Sequence, residues 1–220
     1  SYAVLSGSGS VNSGTNLVAD SGTGTIQVRA FKASDAMYES MAATASVACA
    51  KASQTVTFPK PDDTTVTNTT HLSATASSGM DVTFRVVSGS ASLDNATTLV
   101  YSAVGSVTVA ADQSGDYRYT PVSVTQTFNV AKGHVTVTLT NLTQTYDSTA
   151  KAVTVITAPA GMTMLITYNG QSSVPTHAGT YAVTGTVNEA LYQGQATGLL
   201  TILTRTLNVT GAVENGQQTG

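Results

Sequence analysis

The side chains in this sequence that could bind a metal or move a proton are mostly carboxylates, and they gather in three places. Asp62 and Asp63 are adjacent, Asp112 and Asp116 bracket the run DQSGD, and Asp35 stands in a loop equivalent to that run. Loops of this kind can hold Ca2+ between neighbouring modules, but the ion takes about six to eight oxygens, and neither EF-hand nor nonapeptide spacing supplies them. Asp also favours turns in its own right, because its carboxylate bonds nearby backbone amides, so the turn reading is the stronger. His71, His134 and His177 occur singly, without Cys, Asp or Glu at metal-ligand spacing. No nucleophile elbow, phosphate loop or HExxH run is present. Cys49 has no base near it in sequence and reads as a small buried hydrophobe on an inward strand position. Lys132 or Lys151 could form a Lys–Asn cross-link only where a buried Lys meets an Asn and a carboxylate, which spacing does not specify. Sequons at Asn68, Asn95, Asn141 and Asn208 follow readily from a Thr-rich composition. These residues lead us to expect no enzyme and no catalytic, cofactor-binding or metal site.

Composition narrows the classes further. Charged residues are 10% and aromatics 6%, Trp is absent, and Thr, Ser, Ala, Val and Gly dominate. β-Branched residues suit a pleated surface while the good helix formers are sparse, so strands and turns are expected. The 41% of hydrophobic residues fall in alternating runs able to bury a core. A net charge of −3 with no cluster of Lys or Arg argues against a nucleic-acid partner. No apolar run approaches the roughly 20 residues needed to span a bilayer, so no membrane insertion is expected within this segment. Ser1 does not open a signal peptide, and any secretion signal or anchor is expected outside it.

What must position the loops is a repeated β unit. Residues 24–51 recur as 105–132 at a separation of 81, which pairs Gly24 with Gly105, Tyr38 with Tyr119, Val47 with Phe128 and Lys51 with Lys132. A looser third copy begins at Gly179 and closes at Arg205. Upstream the offset grows by one residue, aligning Ser6-Gly7 with Ser88-Gly89 and Leu17 with Leu99. The counterpart of residues 52–82, expected to hold two strands, then has no equivalent in the first unit. Four segments follow: residues 1–51, the closing part of a unit lacking its first strands; 52–132, a complete unit; 133–203, a shorter one; and 204–220, the start of another around Leu207 and Val209. Within 52–132, strands are expected at 54–58, ended by Pro59 and Pro61, and at 72–76. Alternation at Val82, Phe84 and Val86, at Leu93, Leu99 and Tyr101, at Val107, Val109 and Ala111, and at Val124, Phe128 and Val130 marks the others. About seven short strands divided by turn signals are the pattern of an immunoglobulin-like sandwich. In the third unit a strand at 162–168 runs into Asn169-Gly170, a type I′ hairpin signal, with a return strand at 171–174. The spacing Gly179-Thr180-Tyr181-Ala182-Val183 matches a tyrosine corner; Ile26 and Val107 replace the tyrosine in the other copies, so the corner bond is expected only here. The expected fold class is all-β: tandem immunoglobulin-like antiparallel β-sandwiches arranged end to end.

These residues resemble the tandem immunoglobulin-like repeats of large bacterial surface proteins, and the third unit resembles the MBG type. The matching residues are Gln144-Thr145-Tyr146-Asp147 with Thr149-Ala150-Lys151-Ala152-Val153, Thr167-Tyr168-Asn169-Gly170, Pro175 with Ala178-Gly179-Thr180-Tyr181, and Tyr192-Gln193-Gly194 with Ala196-Thr197-Gly198. The family usually carries Gly where Ser148 stands. The resemblance implies an extracellular, non-catalytic stalk or spacer of a bacterial cell-surface or secreted protein, such as an adhesin, with no catalytic residue to carry over. Its partners would be neighbouring repeats of the same protein, with host or cell-surface glycan or protein met through other domains. Two alternatives remain open. One is a carbohydrate- or protein-binding module using exposed loops such as 94–98 or 171–174, disfavoured for glycans by the absence of Trp. The other is a filament-forming subunit in which residues 207–220 of one chain complete the first sandwich of the next.

Overall fold

The structure, a computed structural model, describes residues 1–206 of the chain. Among them every regular element is a strand, as expected where Thr and Val rather than Leu, Glu and Lys fill the sequence. The chain divides into two compact units, Ser1–Ala131 and a second from Lys132 onward.

The first unit contains two sets of strands. In the first set, β1 (Tyr2–Ser6), β4 (Thr25–Lys32) and β5 (Met41–Ala48) form one sheet in the order β1-β4-β5, while β2 (Gly9–Asn12) and β3 (Asn16–Ala19) form a hairpin. The second set opens with the short strands β6 (Val56–Thr57), β7 (Thr64–Thr65), β8 (Thr70–His71) and β9 (Thr75–Ala76). It continues with β10 (Thr83–Ser88), β11 (Ala91–Leu93), β12 (Thr98–Tyr101), β13 (Gly105–Gln113) and β14 (Val122–Ala131). One sheet runs β10-β13-β14-β7; the other joins β11-β12-β8 through residues 72–74 to the pair β9-β6. That order is the Greek key of an immunoglobulin-like sandwich. Residues 52–82 thus hold four short strands where two were expected. Pro59 and Pro61 lack the amide a ladder needs, and the following segment changes partner, β8 pairing with β12 and β9 with β6.

Val56, Phe58, Leu72 and Leu99 from one sheet close on Val107, Val109, Ala111, Phe128 and Val130 from the other. Phe58 and Phe84 lie 5.5 Å apart, and the Tyr101 ring meets Phe128 edge-on at 6.2 Å. Burying such side chains is worth about 1.5–3 kcal/mol each relative to exposure.

Strands β1 to β5 run in the same order and pairing as β10 to β14. The likeness reaches local detail. Register shifts occur at Val4/Ser6 in β1 and at Val86/Ser88 in β10. A glycine follows each, Gly7 at φ 94° and Gly89 at φ 97°. A Cβ would lie 2.4 Å from the Thr25 carbonyl oxygen at the first and 2.5 Å from that of Ser106 at the second, so both bends require glycine. The two sets differ in burial. Val47 is 43% exposed where its counterpart Phe128 is 1% exposed, and all of β5 is open. Cys49, expected to be buried, is therefore only half-buried, because no described residue covers that face of β5.

In the second unit, β17 (Thr143–Thr145), β22 (Gln195–Leu203), β20 (Gly179–Val187) and β19 (Met164–Tyr168) form a sheet in the order β17-β22-β20-β19. β16 (Thr136–Thr140) pairs with β18 (Thr154–Ala158), and β15 (Gly133–His134) pairs in parallel with β21 (Tyr192–Gln193). Val153, Tyr168, Val183, Leu200 and Ile202 make the core, with Leu139, Val155 and Ile166 packed against them. The buried Tyr168 hydroxyl accepts the Val153 amide at 3.1 Å. Asn169 (φ 50°) and Gly170 (φ 81°) supply the two positive dihedrals of the expected tight turn. The return strand at 171–174 does not form. A single bridge joins Tyr168 to Gln171, after which the chain crosses so that the Pro175 carbonyl accepts the Lys151 amide at 2.9 Å. The direct passage from β19 to β20 replaces the hairpin that β11 and β12 insert in the first unit, which accounts for most of the shorter length of 133–203. Leu207 and Val209, where a further unit was expected to open, and the exchange segment 207–220 lie outside the described residues.

Candidate functional site

Most of the carboxylates singled out by sequence are engaged by the chain itself. Asp116 Oδ1 accepts the amides of Arg118 and Tyr119 at 2.7 and 2.8 Å. Asp35 does the same with Met37 and Tyr38, both at 2.9 Å, and its other oxygen pairs with Lys32 Nζ at 3.0 Å. Asp63 accepts the Asn129 amide at 2.8 Å, and Asp112 pairs with Arg85 Nε at 2.7 Å. These are turn and strand-end contacts. Asp62, Asp63 and His71 do line one open hollow of about 420 Å³. Among the described residues, however, no three of His, Cys, Asp and Glu are grouped as metal ligands require. His134 sits exposed in β15. His177 acts through its backbone: its carbonyl accepts the Tyr181 hydroxyl at 3.0 Å, which forms the expected tyrosine corner. Asn68 donates to Thr64 Oγ1 at 3.4 Å, Asn95 caps its own loop, and Asn141 takes a positive φ of 60°. Asn208 lies outside the described residues.

The two lysines considered for cross-linking make ordinary polar contacts. Lys132 Nζ donates to the Glu189 carbonyl at 2.8 Å. Lys151, with only 11% of its side chain exposed, pairs with Asp147 Oδ2 at 2.6 Å. Asp147 also accepts the Thr149 amide at 2.9 Å, closing a turn in which Ser148 takes φ 67°, a left-handed conformation that favours Gly.

These contacts set a pH dependence. The Lys151 ammonium, followed by the Thr149 hydroxyl and amide, holds Asp147 well below the usual carboxylate range. The Met37 amide, then Lys32 and Tyr38, lower Asp35; the Asn129 amide lowers Asp63; Thr163 lowers Glu189. A carboxyl whose folded pKa is depressed binds fewer protons than in the unfolded chain. Its contribution is therefore present above the ordinary carboxylate pKa of about 4 and is lost as pH falls below it. The urea midpoint should fall between pH 6 and pH 3, and Asp147→Asn should shrink that fall. An unchanged pH profile for the variant would show that the Lys151 pair contributes nothing. Asp35, Asp63 and Asp147 are exposed and Glu189 is half-buried, so added salt should weaken the effect.

Sequence reasoning missed a buried polar pair. Gln54 Nε2 donates to Gln113 Oε1 at 2.7 Å and to the Thr120 carbonyl at 2.8 Å, while Ser78 Oγ donates to Gln54 Oε1 at 2.5 Å. Gln113 Oε1 also accepts the Gly115 amide at 2.5 Å. The alternation Gln54, Val56, Phe58 contained the signal, since it places the glutamine on the inward face.

The loop that Asp116 shapes clasps incoming chain. The Ala52 amide donates to the Arg118 carbonyl at 2.8 Å, the Thr120 amide returns to the Ala52 carbonyl at 2.9 Å, and Ala52 bridges Tyr119 in parallel. Gly22 reaches the same loop through its amide, 2.8 Å from the Tyr117 carbonyl, and a Cβ there would sit 2.7 Å from Lys51 Cα. In the second unit the Gly133 and Val135 amides donate to the Leu191 and Gln193 carbonyls, each at 2.9 Å.

This order of strands, with the parallel edge pairing and the tyrosine corner, defines an all-β module of immunoglobulin-like topology. Residues 135–206, which contain the Asp147–Lys151 turn, Asn169-Gly170 and the Tyr181 corner, match the MBG domain family. Among solved structures the chain is similar to the crystal structure of Drosophila N-cadherin EC1-3, with a TM-score of 0.31 and 8% identity over 93% of this chain and 89% of that one. No curated protein matches the chain.

Proposed function

We propose that the chain is a non-catalytic spacer, part of the stalk of a bacterial surface or secreted repeat protein such as an adhesin, with adjoining repeats of the same protein as its partners. The observation that carries this reading is the MBG match over residues 135–206. The sequence period of 81 and the short joints at Lys51-Ala52 and Lys132-Gly133 support it. Most of the carboxylates that could do chemistry are spent on turns and strand ends. Asn95 Oδ1, in the loop 94–98, accepts the Thr97 and Thr98 amides at 3.0 and 2.9 Å and so closes that loop on itself. The test is a panel of glycans and surface proteins presented to the intact chain. A spacer gives no saturable binding; saturable binding abolished by substitutions in 94–98 or 171–174 would sink the reading.

A further inference from the structure

In both closed sandwiches the early part of the unit docks twice against its closing half, each time in parallel. In the first unit Ala52 pairs with Tyr119 in the loop that Asp116 builds, and β7 then pairs with the end of β14, Thr64 opposite Val130 and Thr65 opposite Ala131. In the second unit β15 pairs with β21, and β17 pairs with the end of β22. Both receivers also exist in residues 1–51. The first is the loop built by Asp35, which has the same carboxylate-to-amide geometry as Asp116 and the same closing bond, Asp35 amide to Tyr38 carbonyl at 2.9 Å. The second is the outer edge of β5, running on to Cys49 and Ala50, beside the half-buried Val28 and Ala30 and the exposed Val47. Among the described residues neither receiver has an occupant, and Met37 and Tyr38 are 83% and 69% exposed.

We propose that this half-sandwich is a receptor for one extended polypeptide segment, the opening strands of a unit of the kind seen at residues 52–76. The two receivers are backbone edges, so the occupant is a peptide rather than a sugar or a lipid. Their arrangement sets its direction, parallel to β5, with positions like Ala52 at the Asp35 loop and like Thr64 and Thr65 at Cys49 and Ala50. Its inward face must be apolar, as Val56, Phe58 and Leu72 are in the closed sandwich, because it covers the half-buried Val28 and Ala30 and the exposed Val47. A second copy packed face to face would cover the apolar residues but leave both backbone receivers unpaired. The inference stands whether or not the chain is a spacer.

Cys49 occupies the position that pairs with the incoming strand and is the sole cysteine, so its alkylation reports docking. The intact chain is mixed with a synthetic peptide of residues 52–82, and the rate of reaction with a thiol reagent is followed. Docking slows it saturably, by about tenfold at a peptide concentration ten times Kd. A peptide carrying Val66→Pro loses the amide that donates to the Ala131 carbonyl in the closed sandwich and protects more weakly. Val47→Asp in the chain, at an already exposed position, weakens docking without disturbing the fold. An unchanged rate at every peptide concentration, or equal protection by a scrambled peptide, overturns the proposal. So does protection that rises with protein concentration alone together with a doubled mass in light scattering, since the occupant would then be a second copy.

Discussion

Phe128→Ala is expected to destabilise the first unit by about 3–5 kcal/mol, the cost of losing a buried aromatic and leaving a cavity that β-sheet neighbours cannot collapse to fill. The ring is 1% exposed, sits among Leu99, Val107 and Val109, and meets Tyr101 edge-on. Urea unfolding followed by circular dichroism measures the change, and tyrosine fluorescence should report the altered contact with Tyr101. The control lies in the same chain. Val47→Ala removes side-chain atoms at the matching position of β5, where the residue is 43% exposed, and should cost less than about 1 kcal/mol. Equal costs at the two positions would mean that the face of β5 is closed in solution.

The second large effect is expected at the glutamine pair. Gln113→Leu strips the Gly115 amide of its acceptor and removes one of the two acceptors of Gln54 Nε2 inside a buried site, a loss of about 1–3 kcal/mol. Gln54→Leu should be similarly harmful, since it takes one donor from Gln113 Oε1, leaves the Thr120 carbonyl without its side-chain donor and the Ser78 hydroxyl without its acceptor. The two variants share one bond and should not add. A double-mutant cycle is expected to show a coupling of about 0.5–3 kcal/mol. Simple additivity would show that the two side chains act independently.

Much of this architecture was legible because alternation and turn chemistry are local. Val107, Val109 and Ala111, and Phe128 with Val130, lie inward as their spacing requires, and Asn169-Gly170 and Tyr181 make the turn and corner that their residue types demand. The breaks came where tertiary context decides. The segment 72–74 changes sheet partner for reasons that its own residues do not encode, and 171–174 has strand-like neighbours but is drawn toward Lys151. Alternation also says which face a side chain occupies without saying whether a layer lies over that face, and so Cys49 reads as buried. At the candidate site the Asp turns were readable from residue type. The clasps at Ala52 and Gly133 were not, because they are made by amides and carbonyls that every sequence possesses.

The parallel pairing of β7 with β14 and of β17 with β22 has a mechanical side. In each case an early strand of the sandwich lies beside its last strand, pointing the same way. Tension arriving from the two directions of the chain drags these neighbours past each other along their length, so the rungs between them are strained together. A hairpin such as β2 and β3, pulled at its open end, instead yields one rung at a time. Hydrogen bonds that are individually weak thereby act as a shear clamp, placed where a load enters and leaves the sandwich.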